Sequence, residues 1–155
     1  YGNVSTVLNG DFAAVKGIQP YTELKGDLLE QLKNDHPVAG IDWLAHYDSM
    51  KVIEKRQVRG KDAYLVELKE QGLPDATIAI DSESGVILTR RGSLLVQDIG
   101  AIPIQITYDD YRDIDGLWIP FKMKLFNPMS GNTVIEYESI ETNQTFAPDT
   151  FVLTE

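Results

Sequence analysis

The feature that most constrains the fold is a long run of alternating residues near the end of the chain. Every second residue from Leu117 to Leu125 is apolar, and the residues between them include Trp118 and two lysines. Side chains alternate between the two faces of a strand, so this spacing places the apolar residues on one face. Asp115-Gly116 is a hairpin turn signal, and the partner strand carries Ile102, Ile104, Ile106 and Tyr108. A face with so many large side chains needs a cover, which can be a second sheet, a helix or an apolar ligand.

Short alternating segments separated by turn residues occupy the chain from about residue 49 onward. Strands are predicted at 50–58, 63–69, 76–80, 86–91 and 133–141, with turns at 59–62, 71–75, 81–85 and 127–132. The segment 93–101 is less regular and contains Gly100, so we interpret it as a connection in which a strand could begin or end. This spacing is typical of an up-and-down antiparallel sheet or barrel.

The first 48 residues follow a different pattern. Asn9-Gly10 predicts a hairpin between two short strands at 4–8 and 12–15. Leucines at helical spacing predict a helix over 21–34, with Thr22 or Asp27 as its N-cap and His36-Pro37 after its end. A second helical turn is predicted over 41–47. Neither helix is long enough to be stable alone, so both are expected to lie on the sheet.

Length and composition indicate one acidic domain. The chain has 155 residues, of which 43% are hydrophobic, and its formal net charge is −10. This charge repels phosphate backbones and anionic membrane surfaces overall, which argues against nucleic-acid binding. Cysteine is absent, so disulfides and thiolate chemistry are excluded. No apolar run approaches the roughly 18 residues of a transmembrane helix.

Motifs for catalysis or metal binding fail on spacing. A calcium loop with Gly116 as its sixth residue would place Lys122 at the twelfth position, where a Glu is needed. The histidines, His36 and His46, are ten residues apart, which does not match a zinc pair on one helix face. The serines lie in no Gly-x-Ser-x-Gly motif, and no glycine-rich phosphate loop is present. We therefore predict no catalytic residue, no metal site and no cofactor.

The apolar stripes allow two interpretations, an ordinary core or the wall of a cavity. A wide, curved sheet with helices over its mouth encloses a cavity more often than a filled sandwich does. Leu28, Leu32 and Trp43 are the candidate lid residues. The twelve candidate lining residues are Tyr64, Val66, Leu68, Ile78, Ile80, Ile104, Ile106, Ile119, Phe121, Met123, Ile135 and Tyr137.

Two segments resemble a known family, the bacterial outer-membrane lipoprotein-sorting (LolA-like) proteins. The first is the strand pattern of residues 58–68 followed by the strand-turn-strand of residues 78–88. The second is the hairpin of residues 108–121, with its Tyr111-Arg112-Asp113 and its Gly116 followed by Pro120-Phe121. The resemblance covers roughly residues 50 to 145 and consists of turns and strands, with no active-site signature.

The resemblance implies a mainly β fold, namely a strongly curved, incomplete (half-open) antiparallel β-barrel with one or two short helices as a lid. It also implies a non-enzymatic periplasmic protein that binds lipid, an acyl chain or an acylated protein, together with an envelope partner protein. We expect residues 1–155 to form a single LolA-like domain that lacks the N-terminal helix and first strands of the family. The alternative is an accessory or scaffold domain of a larger secreted or envelope protein, with an interior filled by its own side chains.

Overall fold

The fold is mainly antiparallel β structure, in agreement with the sequence prediction. The computed structural model describes residues 5–17, 21–35, 47–69, 73–96 and 98–147. Within these ranges the elements are, in chain order, β1 (Ser5–Asn9), β2 (Phe12–Lys16), β3 (Thr22–Leu24), α1 (Asp27–Asp35), β4 (Ser49–Val58), β5 (Lys61–Lys69), β6 (Ala76–Asp81), β7 (Ile87–Val96), β8 (Gly100–Ile114), β9 (Leu117–Asn127) and β10 (Gly131–Glu136).

The described strands form two separate sheets. β1, β2 and β3 make a three-stranded sheet, and the remaining strands make a seven-stranded sheet in the order β10-β9-β8-β7-β6-β5-β4. Each strand of the larger sheet pairs with its neighbour in the chain, so the topology is a simple meander. The large sheet is not closed, because β4 and β10 stand at opposite ends of it. The predicted open antiparallel architecture is therefore confirmed.

The predicted long hairpin is present as β8 and β9, with Ile114 opposite Leu117. Its turn residues Asp115 and Gly116 have φ angles of 53° and 86°. Positive φ at both central residues is the requirement of the type I′ turn, whose twist matches that of the strands it joins. Arg59 and Gly60, with φ angles of 55° and 79°, join β4 to β5 in the same way.

Two strand predictions were wrong in their limits, and the segment 93–101 contains less connection than predicted. β7 continues to Val96 and β8 begins at Gly100, so this segment ends one strand and begins the next, as its interpretation allowed. The sequence does not alternate here because residues 94–96 are all apolar, yet these residues still pair with β8. β10 ends at Glu136 instead of continuing to 141, although the Tyr137 N–H still donates to the Phe121 carbonyl at 2.9 Å. The first hairpin loop is Gly10–Asp11, since Asn9 already pairs with Phe12.

The helix prediction was wrong at its start. Thr22 to Leu24 form β3, which pairs with β2, and the helix begins only at Asp27. Gly26, with a φ of 58°, precedes it, and its carbonyl accepts from the N–H groups of Leu29 and Glu30. Gly26 is therefore the N-cap, and neither Thr22 nor Asp27 has that role. The helical turn predicted over 41–47 lies outside the described residues except for Tyr47.

Buried residues of the described chain form two clusters on opposite faces of the large sheet. Leu65 packs with Ala63, Ala79 and Leu88 on one face. On the other face Val66 and Leu68 pack with Ala76 and Ile78. Because Leu65 and Val66 are successive residues of one strand, their side chains point to opposite faces. The centre of the sheet is thus buried on both sides.

The turn between β6 and β7 depends on Asp81, a buried carboxylate that is 4% exposed. Its Oδ2 accepts from Lys61 Nζ at 2.7 Å and from Ser84 Oγ at 2.8 Å. Its Oδ1 accepts from the Glu83 N–H at 3.0 Å. The Lys61 ammonium and these hydrogen bonds hold the pKa of the Asp81 carboxyl well below its ordinary value.

Replacing Ile78 with alanine should destabilise the fold strongly. Ile78 is 2% exposed, whereas Val52 on the same face is 59% exposed. Deletion of a buried aliphatic side chain costs about 2–5 kcal/mol through lost burial and the cavity that remains. Urea unfolding should show this loss for Ile78→Ala and a change below about 0.5 kcal/mol for Val52→Ala. Equal losses in both variants would contradict the burial described above.

Replacing Asp81 with asparagine should lower stability in a pH-dependent manner. The folded-state pKa of Asp81 is depressed, so its contribution is present above the unfolded pKa and is lost as the pH falls below about 4. Thermal unfolding should therefore show a lower Tm for Asp81→Asn at neutral pH and a smaller difference from the unmodified chain in acid. Asp62→Asn, an exposed neighbour of Lys61, is the matched control. A difference between Asp81→Asn and the unmodified chain that persists unchanged into acid would contradict this account.

Candidate functional site

The twelve candidate lining residues lie on one face of the seven-stranded sheet, which we call the apolar face. The strand register establishes this, because residues opposite one another in a ladder share a face. Tyr64 pairs with Ile80, and Val66 with Ile78. Farther along the sheet, Arg90 pairs with both Ile78 and Ile106. Tyr108 pairs with Met123, and Met123 with Ile135, which extends the same face to the end of the sheet.

Burial divides these twelve residues into two groups. Half of them are already covered by the protein: Val66, Leu68, Ile78, Ile104, Ile119 and Phe121. The other half retain accessible surface: Tyr64, Ile80, Ile106, Met123, Ile135 and Tyr137. Tyr64 is 40% exposed and Ile135 is 38% exposed. The apolar face thus combines a packed part with a part that could still be covered by another molecule.

Cationic side chains also lie on the apolar face, and they were not among the predicted site residues. The Lys55 ammonium lies 5.4 Å from the centre of the Tyr64 ring. The Arg112 guanidinium lies 4.1 Å from the centre of the Phe121 ring, and its Nη2 donates to Asp110 Oδ2 at 2.6 Å. Such contacts are favourable because the ring face carries negative charge. Arg112 alternates along β8 with Ile106 and Tyr108, which was the sequence signal for it, whereas the extra residue Ile53 puts Lys55 out of step with Met50 and Val52.

α1 lies beside β7 at the margin of the large sheet. The Gln31 side-chain amide donates to the Leu95 carbonyl at 3.2 Å, and its oxygen accepts from the Leu95 N–H. Gln31 thereby satisfies both backbone groups of Leu95 that face away from β8. Lys33 pairs with Asp11 of the β1–β2 loop at 2.8 Å, which links α1 to the small sheet.

The lid role assigned to α1 stays a prediction. Leu28 and Leu32 are half-buried on α1. Trp43 lies outside the described residues.

The opposite face of the sheet, which we call the polar face, is concave near the β4–β5 turn. Arg59 in this turn donates to Asp109 Oδ1 at 2.6 Å and to the Tyr108 carbonyl at 3.2 Å. In a flat sheet β5 and β8 would be three strand spacings apart, about 14 Å, which exceeds the reach of an arginine side chain. The sheet therefore curves toward the polar face at this end.

This curvature forms an open cleft of about 630 Å³ on the polar face, which we call the polar cleft. The residues that line it come from β4 to β8 and the β4–β5 turn: Arg56, Gln57, Val58, Arg59, Leu65, Thr77, Ile78, Ala79, Thr89, Arg91, Gln105 and Thr107. Of the twelve predicted lining residues, Ile78 alone contributes to it. This cleft could not be predicted from the sequence, because its members are distant in the chain and mostly polar.

Tyr111 reinforces the polar face next to the cleft. Its hydroxyl donates to the Ile87 carbonyl at 2.7 Å and so joins β8 to the start of β7. Burial raises the pKa of the Tyr111 hydroxyl above its ordinary value, which keeps it neutral and able to donate. This side chain is therefore a structural crosslink of the sheet.

The described residues contain no group of three or more His, Cys, Asp or Glu side chains arranged to hold a metal ion. The aspartates of the β8–β9 turn serve the turn itself: Asp113 Oδ1 accepts from the Gly116 N–H at 2.8 Å, and Asp115 accepts from the Thr142 hydroxyl. Within the described ranges no helix has the length and apolar character needed to cross a membrane.

Three solved structures share this architecture. A LolA superfamily protein from Nitrosomonas europaea matches 96% of the chain with a TM-score of 0.61 and 13% identity, and 69% of its own chain is covered. A DUF1329 family protein from Desulfovibrio piger matches 97% of the chain with a TM-score of 0.64 and 15% identity, and again 69% of its own chain is covered. A candidate outer membrane lipoprotein-sorting protein domain from Vibrio parahaemolyticus matches 88% of the chain with a TM-score of 0.51 and 12% identity, and 64% of it is covered.

These similarities establish a LolA-like fold for the chain. No protein-family model and no curated protein sequence matches it. At identities of 12–15% the likeness extends to the fold and not to activity. The features that indicate a function are therefore those of the two faces of the sheet.

Proposed function

We propose that this chain is a non-enzymatic binding module of the lipoprotein-sorting type, which holds the acyl chain of a lipid or of an acylated protein. The ligand lies on the accessible part of the apolar face, against Tyr64, Ile80, Ile106, Met123, Ile135 and Tyr137. The periplasm of a Gram-negative envelope is the proposed location, with an envelope protein as the delivery partner. The structural neighbours named for LolA and for outer membrane lipoprotein sorting support this reading.

The observation that carries the proposal is the incomplete covering of the apolar face. Met50 and Val52 on β4 are 37% and 59% exposed, and Ile135 on β10 is 38% exposed. All three share the apolar face with the buried residues between them. Large apolar side chains that stay accessible beside a packed core are typical of a binding surface for an apolar partner. Met123 suits such a surface, because its flexible side chain adapts to different ligands.

Burial of an acyl chain supplies enough free energy for binding. At about 25 cal/mol per Å², about 300 Å² of apolar ligand surface contributes roughly 7 kcal/mol before the costs of ordering. The ligand would be held by its apolar area alone, so no catalytic group is needed. The ligand can be released if the part of the protein that covers it is only weakly bound to the sheet.

The alternative function is a scaffold domain whose apolar face is filled by the protein itself. Six of the twelve candidate residues are buried, which favours this alternative for the centre of the sheet. The two functions differ in whether the accessible half of the face receives a ligand. Purified protein that carries no lipid on solvent extraction and mass spectrometry, and that shows no saturable displacement of a fluorescent fatty acid, would support the scaffold.

Ile135→Glu should weaken fatty-acid binding at least tenfold. Ile135 lies on the apolar face opposite Met123, and a carboxylate there would have to be desolvated by the bound acyl chain. The matched control is Val134→Glu, the preceding residue of β10, which faces the other side of the sheet and is 55% exposed. Displacement titration of a fluorescent fatty acid measures both variants.

Both variants add one negative charge at an accessible position of the same end strand, so their stabilities should be similar in a thermal melt. Equal loss of fatty-acid affinity in both would show that the apolar face is not the binding surface. A loss confined to Ile135→Glu supports the proposal.

A further inference from the structure

The charged side chains that line the polar cleft are all basic, although the chain as a whole is acidic. The chain carries 24 acidic and 14 basic residues, yet three of its five arginines line this one cleft: Arg56, Arg59 and Arg91. No Asp or Glu is among the described residues that line it. A concentration of positive charge in a concave site of an acidic protein favours an anionic ligand.

The three arginines differ in whether a nearby carboxylate already neutralises their charge. Arg59 is paired with Asp109 at 2.6 Å and serves mainly to hold the sheet in its bent form. Arg56 lies 3.7 Å from Glu54, and both side chains are about half exposed, so their attraction is weak. Arg91 makes no ion pair with any residue in the described ranges, and its ladder partners are the uncharged Thr77 and Gln105. Arg91 is therefore available to a ligand.

Side chains that can form hydrogen bonds lie next to Arg91 on the neighbouring strands. Thr77, Arg91 and Gln105 form one row across β6, β7 and β8. The next row on the same face contains Ala79, Thr89 and Thr107. Side chains that are direct neighbours in a ladder have Cβ atoms about 4.5–5.5 Å apart, so these groups can contact a single ligand. Hydroxyl and amide donors next to a guanidinium suit an oxyanion with several acceptor oxygens.

We propose that the polar cleft binds an organic phosphate, with Arg91 as the principal contact, Arg56 as a second one, and Thr77, Thr89 and Gln105 as hydrogen-bond donors. The volume of about 630 Å³ exceeds what a bare phosphate needs and falls within the usual range for small-molecule sites. Val58, which lines the cleft and keeps accessible surface, supplies an apolar contact for the organic part of the ligand. This site is independent of the acyl site proposed above, because it lies on the opposite face of the sheet.

Phenyl phosphate is a suitable probe, because it joins a phosphate to a small apolar body, and phenol is its uncharged counterpart. Isothermal titration of the full chain should show saturable binding of phenyl phosphate that weakens as salt is added, and no comparable binding of phenol. Arg91→Gln should reduce the affinity at least tenfold. Arg91→Lys should reduce it less, since the charge remains while the bidentate guanidinium geometry is lost.

Lys25→Gln is the matched control, because it removes one positive charge from an exposed side chain outside the cleft. Arg91 is itself exposed, so Arg91→Gln should keep the melting profile of the unmodified chain. The proposal is overturned if phenyl phosphate shows no saturable binding, or if Lys25→Gln lowers its affinity as much as Arg91→Gln does.

The phosphate could be carried by a soluble compound or by a lipid headgroup. Flotation with phosphatidylcholine vesicles that contain phosphatidic acid, compared with pure phosphatidylcholine vesicles, distinguishes these sources. Vesicle association that Arg91→Gln abolishes identifies a headgroup, and phenyl phosphate binding without vesicle association identifies a soluble ligand. Fatty-acid displacement should be unchanged in Arg91→Gln, so failure of this site can be told apart from failure of the acyl site.

Discussion

The antiparallel register of the large sheet is the constraint on which the other features depend. Each strand alternates its side chains between two faces, so the ladder pairs decide which residues from distant parts of the chain meet. Leu65 and Val66 are neighbours in sequence, yet one packs under the polar cleft and the other in the apolar core. A shift of one residue in the pairing of β5 with β6 would exchange the two faces. The two tight turns at Arg59–Gly60 and Asp115–Gly116 fix the register of β4 with β5 and of β8 with β9.

Curvature of the sheet brings residues that share a face close enough together to form a site. Register shifts occur at Ile53 in β4 and at Leu88 in β7, where an extra residue interrupts the pairing. Such irregularities increase the local bend and twist of a strand. The Arg59–Asp109 contact then holds the β4–β5 turn close to β8. Exposed ion pairs contribute little to stability, so the main effect of this one is to select a bent sheet over a flatter one.

Features that depend on local sequence could be predicted, and those that depend on bending could not. The Asp115-Gly116 hairpin and the shared face of the twelve apolar residues follow from turn chemistry and alternation. The start of α1 was misplaced, because Leu24 continues the leucine spacing of the helix although it lies in β3 and pairs with Ala13 of β2. Local spacing cannot reveal a tertiary pairing of this kind.

The polar cleft is a feature that depends on bending and could not be predicted. Its residues, such as Arg56, Thr77 and Gln105, lie on different strands and belong to no motif. Their convergence requires both the register and the curvature, and neither can be read from composition.

The two faces restrict how a single amphiphilic ligand could be held. A sheet is one backbone thick, and side chains on its two faces point in opposite directions. A lipid on the apolar face therefore cannot place its phosphate in the polar cleft unless it passes around an edge of the sheet. Cations on the apolar face itself, such as Lys55 and Arg112, are closer to such a headgroup. The polar cleft is thus better suited to a separate ligand, which would contact the same strands from the other side.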